Sequence, residues 1–375
     1  MKIFAFGSSL TSTYWNGAAT YYRGIYKALH RLGYRIDFAE PAIYGRQEHR
    51  DASDLAYANV HIYTAATEIP KLIRAASSAD IVIKHSGVGA EDERLEREVL
   101  SCKSSKTKVV FWDVDAPATL ARVEANPQDE FRRLIPNYDA VFTYGGGPAV
   151  IAHYAKLGAK ICVPIYNGLD PETHHPVPPD PQFHCDLAFV GHRLPDREKR
   201  VQEFFLDAAK LAPNMSFLLG GEGWGSKQLP ANVRWIGHVG SDLHNVVNCS
   251  ARMVMNINRD SMAQVGFSPP TRVFEAAGAG ACLISDAWDG IDQFFEPGRE
   301  ILCAGAAYEV VAHLARYTKN RAAEIGSAMR ARALREHSYE SRAREFEAAI
   351  KQIFCADAGP TPGLSASPGL SPLAA

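Results

Sequence analysis

Cysteine is scarce in this sequence, with seven in 375 residues, and no two form a Cys-x-x-Cys pair. That spacing excludes the common zinc and dithiol motifs, and free thiols in a cytoplasmic enzyme are the expectation. No apolar run approaches the ~18 residues that a membrane span requires. The first residues, Met1-Lys2-Ile3-Phe4-Ala5-Phe6-Gly7, enter a strand pattern at once, without the apolar stretch of a signal peptide. An excess of one charge is also missing. The 40 basic and 42 acidic side chains leave a net charge of −2, so no general field invites nucleic acid or an anionic membrane. A small-molecule site needs only local charge. No repeat of solenoid length is present.

What the chain does have is two successive series of short apolar runs alternating with helix-period segments. This pattern predicts an α/β fold with two doubly wound, Rossmann-like parallel sheets. Strands are expected at 3–6, 34–38, 81–83, 109–112, 140–143 and 161–163 in the first half. In the second they are expected at 187–190, 216–219, 233–236, 253–257 and 282–285. Residues 167–182 break the pattern: Asn167-Gly168 is a turn signal, and five prolines follow by Pro181, leaving no room for a helix interior. They are read as an interdomain linker, with His174 and His175 as exposed linker residues. Two such halves enclose a cleft, and ligands of open parallel sheets bind beyond the C-terminal ends of the strands.

The most informative stretch is Ser268-Pro269-Pro270-Thr271-Arg272-Val273-Phe274-Glu275-Ala276, leading through Gly280 into the strand at 282–285. Thr271 is a candidate N-cap for a helix whose free N–H groups and positive dipole end suit a phosphate. Arg272 adds a permanent, bidentate-capable charge. Glu275, one turn on, can accept hydrogen bonds from two sugar hydroxyls; the alternative is an ordinary Arg–Glu pair on a helix surface. This segment resembles the donor-binding segment of GT-B glycosyltransferases, particularly the CgeB-like (spore-maturation) branch. Asn167-Gly168-Leu169-Asp170-Pro171, Phe189-Val190-Gly191-His192-Arg193 with Arg197, and Phe294-Phe295-Glu296-Pro297-Gly298 resemble further segments of that family.

The resemblance implies a glycosyltransferase of hexosyltransferase type that uses a nucleotide-sugar donor, UDP- or dTDP-linked, and an unidentified acceptor. It implies a GT-B organisation: an acceptor domain over 1–166, the linker 167–182, a donor domain over 183–337, and a helix over 338–355 crossing back to the first domain. A tail rich in Pro, Gly, Ser and Ala, 356–375, is expected to be disordered. Glu275 would hold the donor ribose. Gly191, His192, Arg193, Arg197, Ser268, Thr271 and Arg272 would surround the diphosphate, and His238 would sit near the base. Many retaining members carry a second glutamate eight positions earlier; here that position is Phe267, so stereochemistry does not carry over.

On the acceptor side, Asp113-Val114-Asp115-Ala116-Pro117 is a carboxylate-bearing loop after a strand. A transfer that needs a base draws on Asp, Glu or His, so Asp113 and Asp115 are candidates, with His85 as second choice. Asp115 equally suits a helix cap. Asp-x-Asp is also a manganese signature of the other glycosyltransferase fold, but the two-half layout argues against it, and neither a metal nor a cofactor is expected. Gly7, Ser8, Trp15, Asn16 and Gly146 are the acceptor-side candidates. An epimerase or hydrolase on the same architecture, and a non-catalytic nucleotide-sugar sensor, remain open, as does a homodimer.

Overall fold

Buried apolar runs separated by helices cannot pair as hairpins, and right-handed crossovers lay them side by side as parallel strands. The computed structural model describes residues 1–52 and 55–357 and shows this arrangement twice. The first sheet contains β1 (Lys2–Phe6), β2 (Arg35–Pro41), β3 (Ala58–Tyr63), β4 (Ile81–His85), β5 (Lys108–Asp113), β6 (Ala140–Thr143) and β7 (Cys162–Pro164). The second contains β8 (Cys185–Val190), β9 (Phe217–Gly220), β10 (Val233–Trp235), β11 (Ala251–Asn256), β12 (Leu283–Asp286) and β13 (Leu302–Ala304). Their orders are β3-β2-β1-β4-β5-β6-β7 and β10-β9-β8-β11-β12-β13, and every pairing is parallel.

Each order reverses once, between β1 and β4 and between β8 and β11. These are the crevices where loops splay apart and a ligand can enter. The loops after β1 and β4 therefore face those after β8 and β11 across the gap between the halves.

The last helix, Tyr339–Asp357, belongs to the first sheet's core although it follows the second domain. Its Tyr339, Ala343, Phe346 and Ile350 share a cluster with Tyr21, Ile25 and Trp112. Phe346 stacks on Trp112 at 5.3 Å and 11°, worth about 0.5–1.5 kcal/mol beyond area burial. The close approach requires Gly24, where a Cβ would fall 2.2 Å from the Tyr339 ring. The linker runs beside this return crossing: Leu169 N–H donates to His337 O at 2.8 Å, and Tyr339 N–H to Leu169 O at 3.0 Å. Both crossings thus form one two-stranded connection. The expected tail lies outside the described residues from 358 onward.

Candidate functional site

A cleft of about 1050 Å³ separates the halves, and both line it. Its C-terminal wall is built on the helix Thr271–Ala279. Pro270, not Thr271, is the N-cap residue, and no side chain caps the helix, so its first N–H groups are left for a ligand. Arg272 is anchored by Nε to Val190 O at 2.8 Å and by Nη1 to Asn256 Oδ1 at 3.1 Å. Its guanidinium lies 5.1 Å over the Phe189 ring. Gly191 makes room: a Cβ there would stand 3.0 Å from Arg272 Nη2.

Arg197 covers the same ring at 5.8 Å and donates to His192 O at 2.8 Å. Its Nε is buried with no partner among the described residues. Burial, then the charges of Arg272 and Arg259, press its pKa down to about 9. The group stays cationic at neutral pH but gains from any anion brought between these residues. Arg259 is the third cation. It follows β11 at the switch point, pairing with Asp196 at 2.9 Å and, across the cleft, with Asp115 at 2.8 Å.

Glu275 is 9% exposed and faces the cleft. Burial alone would raise its pKa, but the contact with His244 and the charges of His244, His174 and Arg272 hold it down to about 2. His244 Nδ1 lies 3.5 Å from Glu275 Oε2. One ligand atom from each of His174, His244 and Glu275 falls within 4.8 Å of the others, a donor set able to accept hydroxyl groups or a cation. His174 is buried here, not the exposed linker residue expected from sequence, because the linker folds back over Gly278. His175 is exposed. His192 and His238 both line the cleft, and with Trp15 they form a stack from one half to the other: Trp15–His192 at 5.2 Å and 22°, His192–His238 at 6.2 Å and 13°.

Several expected site residues are elsewhere. Arg193 turns away to Glu198 at 2.8 Å and to Ser226 at 3.2 Å. Ser268 donates to Gly266 O, packed under the Gly145 backbone. Gly146, at φ 95°, donates its N–H to Phe267 O; it joins the domains and does not line the cleft. Gly7 packs on Phe38, where a Cβ would meet the ring at 2.3 Å. The loop after it is buried, its Leu10 and Thr11 N–H groups held by the Glu40 carboxylate.

His85 is not on the rim. It is fully buried against Tyr22 and Trp112, its Nε2 2.6 Å from Tyr26 OH. Burial and then Lys84 drive its pKa down to about 3. Asp113 is also fully buried. Its carboxylate accepts from Ser86, Thr119 and Tyr154 hydroxyls and from the Asp115 N–H, which makes it the anchor of the loop. Asp115 is the member that faces the cleft. It occupies the N-cap position of the helix Ala116–Ala125 without a side-chain cap bond, and its Oδ1 is buried with no partner among the described residues. Ser8 and Asn16 line the opposite wall, joined by a 2.9 Å hydrogen bond.

Residues 197–348 match the model of the glycosyl transferase-like family. That stretch includes Arg197, Arg259, Arg272 and Glu275. HepE from Anabaena, in complex with UDP and glucose, superimposes with a TM-score of 0.64 at 12% identity, covering 94% of this chain and 100% of that one. Sucrose-phosphate synthase from Thermosynechococcus elongatus gives 0.65 at 14% identity, covering 95% and 100%. The fold is GT-B. The β-glucosyltransferase of phage T4 shares it, with a TM-score of 0.56 at 12% identity over 94% of this chain and 99% of that one. No curated protein matches the sequence significantly. Within this GT-B frame, the arginines and Glu275 sit on the C-terminal half and Asp115 on the N-terminal half, facing each other.

Proposed function

We propose that this chain transfers a hexose from a nucleotide-diphosphate sugar, UDP- or dTDP-linked, to an acceptor held by the N-terminal half. The observation that carries this reading is a buried, ionised carboxylate on the helix that also carries Arg272, in a cleft lined by two further arginines from neighbouring elements, Arg197 and Arg259. Glu275 takes the ribose hydroxyls, each charge-assisted bond contributing about 1.5–3 kcal/mol. Arg197, Arg272 and Arg259 take the diphosphate and stabilise the charge it gains as it leaves. With those cations in place, the reading needs no resident metal. HepE, on the same fold, has been captured with UDP and with UDP-glucose, which supports a uridine donor. The CgeB-like motifs are consistent with this reading.

Asp115 is the acceptor-activating group in this reading, since it is the carboxylate of the Asp113–Asp115 pair that reaches the cleft. Arg259 holds one of its oxygens. A diphosphate that draws Arg259 toward itself would leave the carboxylate free to take a proton. The test is a thermal-shift panel of UDP, GDP, dTDP and CDP, run in EDTA. A nucleotide at about 100 times its Kd stabilises a fold by ~2.7 kcal/mol. UDP or dTDP is expected to give that shift without added metal; a flat response to all four contradicts the proposal.

A further inference from the structure

The acceptor half holds a buried cation that the donor site does not use. Arg46 is 6% exposed and lines the cleft on the wall of Ser8, Trp15 and Asn16. Its Nη1 donates to Ser8 O at 3.0 Å, while its Nε is buried without a hydrogen-bond partner among the described residues. Among the described residues no carboxylate forms an ion pair with it. Glu40, whose charge reaches it, is occupied by the Leu10 and Thr11 N–H groups and by Gln47, and Glu48, two residues on and also lining the cleft, makes no ion pair with it among the described residues. Asp51 on the same wall is taken by Arg23 and Thr13. Burying an unpaired charge is unfavourable, and a guanidinium with free donors matches a carboxylate or phosphate bidentately.

We propose that Arg46 is the recognition residue for an anionic group, phosphate or carboxylate, on the acceptor. This rests on the reading that the N-terminal half holds the acceptor. The donor's own diphosphate is served by the three arginines of the facing domain, which leaves Arg46 for a second anion. A neutral acceptor would leave the guanidinium only the Tyr44 ring, 5.3 Å away, and the charge of the already occupied Glu40.

The probes are glucose 6-phosphate, glucuronate and glucose, titrated calorimetrically into the full chain with and without saturating UDP at fixed ionic strength. One charged probe is expected to bind at least tenfold more tightly than glucose, and which one it is separates phosphate from carboxylate. Arg46→Gln is expected to erase that margin while leaving UDP affinity unchanged, and Arg46→Lys, which keeps the charge, to retain part of it. Equal binding of charged and neutral probes by the parent protein, or a margin that survives in Arg46→Gln, overturns the proposal. Loss of UDP binding in the parent would instead count against the transferase reading, and the titrations without UDP would still decide the role of Arg46.

Discussion

At the scale of single residues, the two aspartates of one loop divide the work by direction. Asp113 turns inward to four donors, and Asp115 turns outward to the cleft and Arg259. Asp115→Asn is expected to lower transfer by about 10²–10⁴-fold, the usual scale for a lost base, with UDP affinity kept. Steady-state rates beside calorimetric Kd values check this, and full activity in the variant would remove Asp115 from the chemistry. His85 makes its contribution through stability. The unfolded chain protonates near its ordinary value of 6.5, whereas the native ring resists until about 3. In that window the unfolded state binds the extra proton, so stability falls as pH falls, by about 1.4 kcal/mol per unit. Urea unfolding at pH 7 and pH 5 should show the parent losing ~2 kcal/mol more than His85→Gln; equal losses would show that the ring is not buried neutral. Sequence reading placed His85 and Asp113 at the site because strand ends usually open onto it. Burial of the last residue of β4 and of β5 is a tertiary fact that a linear pattern does not carry. That Glu275 and Arg272 would share one wall could be read from sequence, because one helix carries both. Arg259, His174 and His244 were not, since their partners come from distant segments.

At the scale of elements, buried parallel strands announce themselves as apolar runs, and eleven of the thirteen strands among the described residues were anticipated within a few residues. The two missed are edge strands. β3 alternates half-exposed polar and apolar residues, without the apolar run of a buried strand. The helix Thr271–Ala279 also carries information that sequence hides: Gly278 is where the linker crosses it, and a Cβ would stand 2.6 Å from His174 O and 2.5 Å from Leu169 Cδ1. Gly278→Ala should therefore destabilise the protein by about 1–3 kcal/mol through overpacking. By shifting His174 off Glu275 it should also weaken UDP binding. Denaturant unfolding and UDP titration of the variant test both, and a variant indistinguishable from the parent would show that the linker does not press on this helix.

At the scale of the molecule, the two halves are tied at the linker and the returning helix and meet again through Gly146–Phe267 and Asp115–Arg259. A solvent-accessible ion pair such as Asp115–Arg259 contributes only ~0–1 kcal/mol, so it positions the walls without locking them. The overall plan was readable from the repeated strand series and the proline-rich break. The contents of the cleft depended on which side chains the crossing segments bury.

The central claim is that the carboxylate on the donor helix grips the nucleotide. Calorimetric titration of the best nucleotide into the parent and into Glu275→Ala tests it most directly. A Kd weakened about 10–100-fold, or ~1.4–2.7 kcal/mol, is the predicted result, and an unchanged Kd in a folded variant would contradict the account.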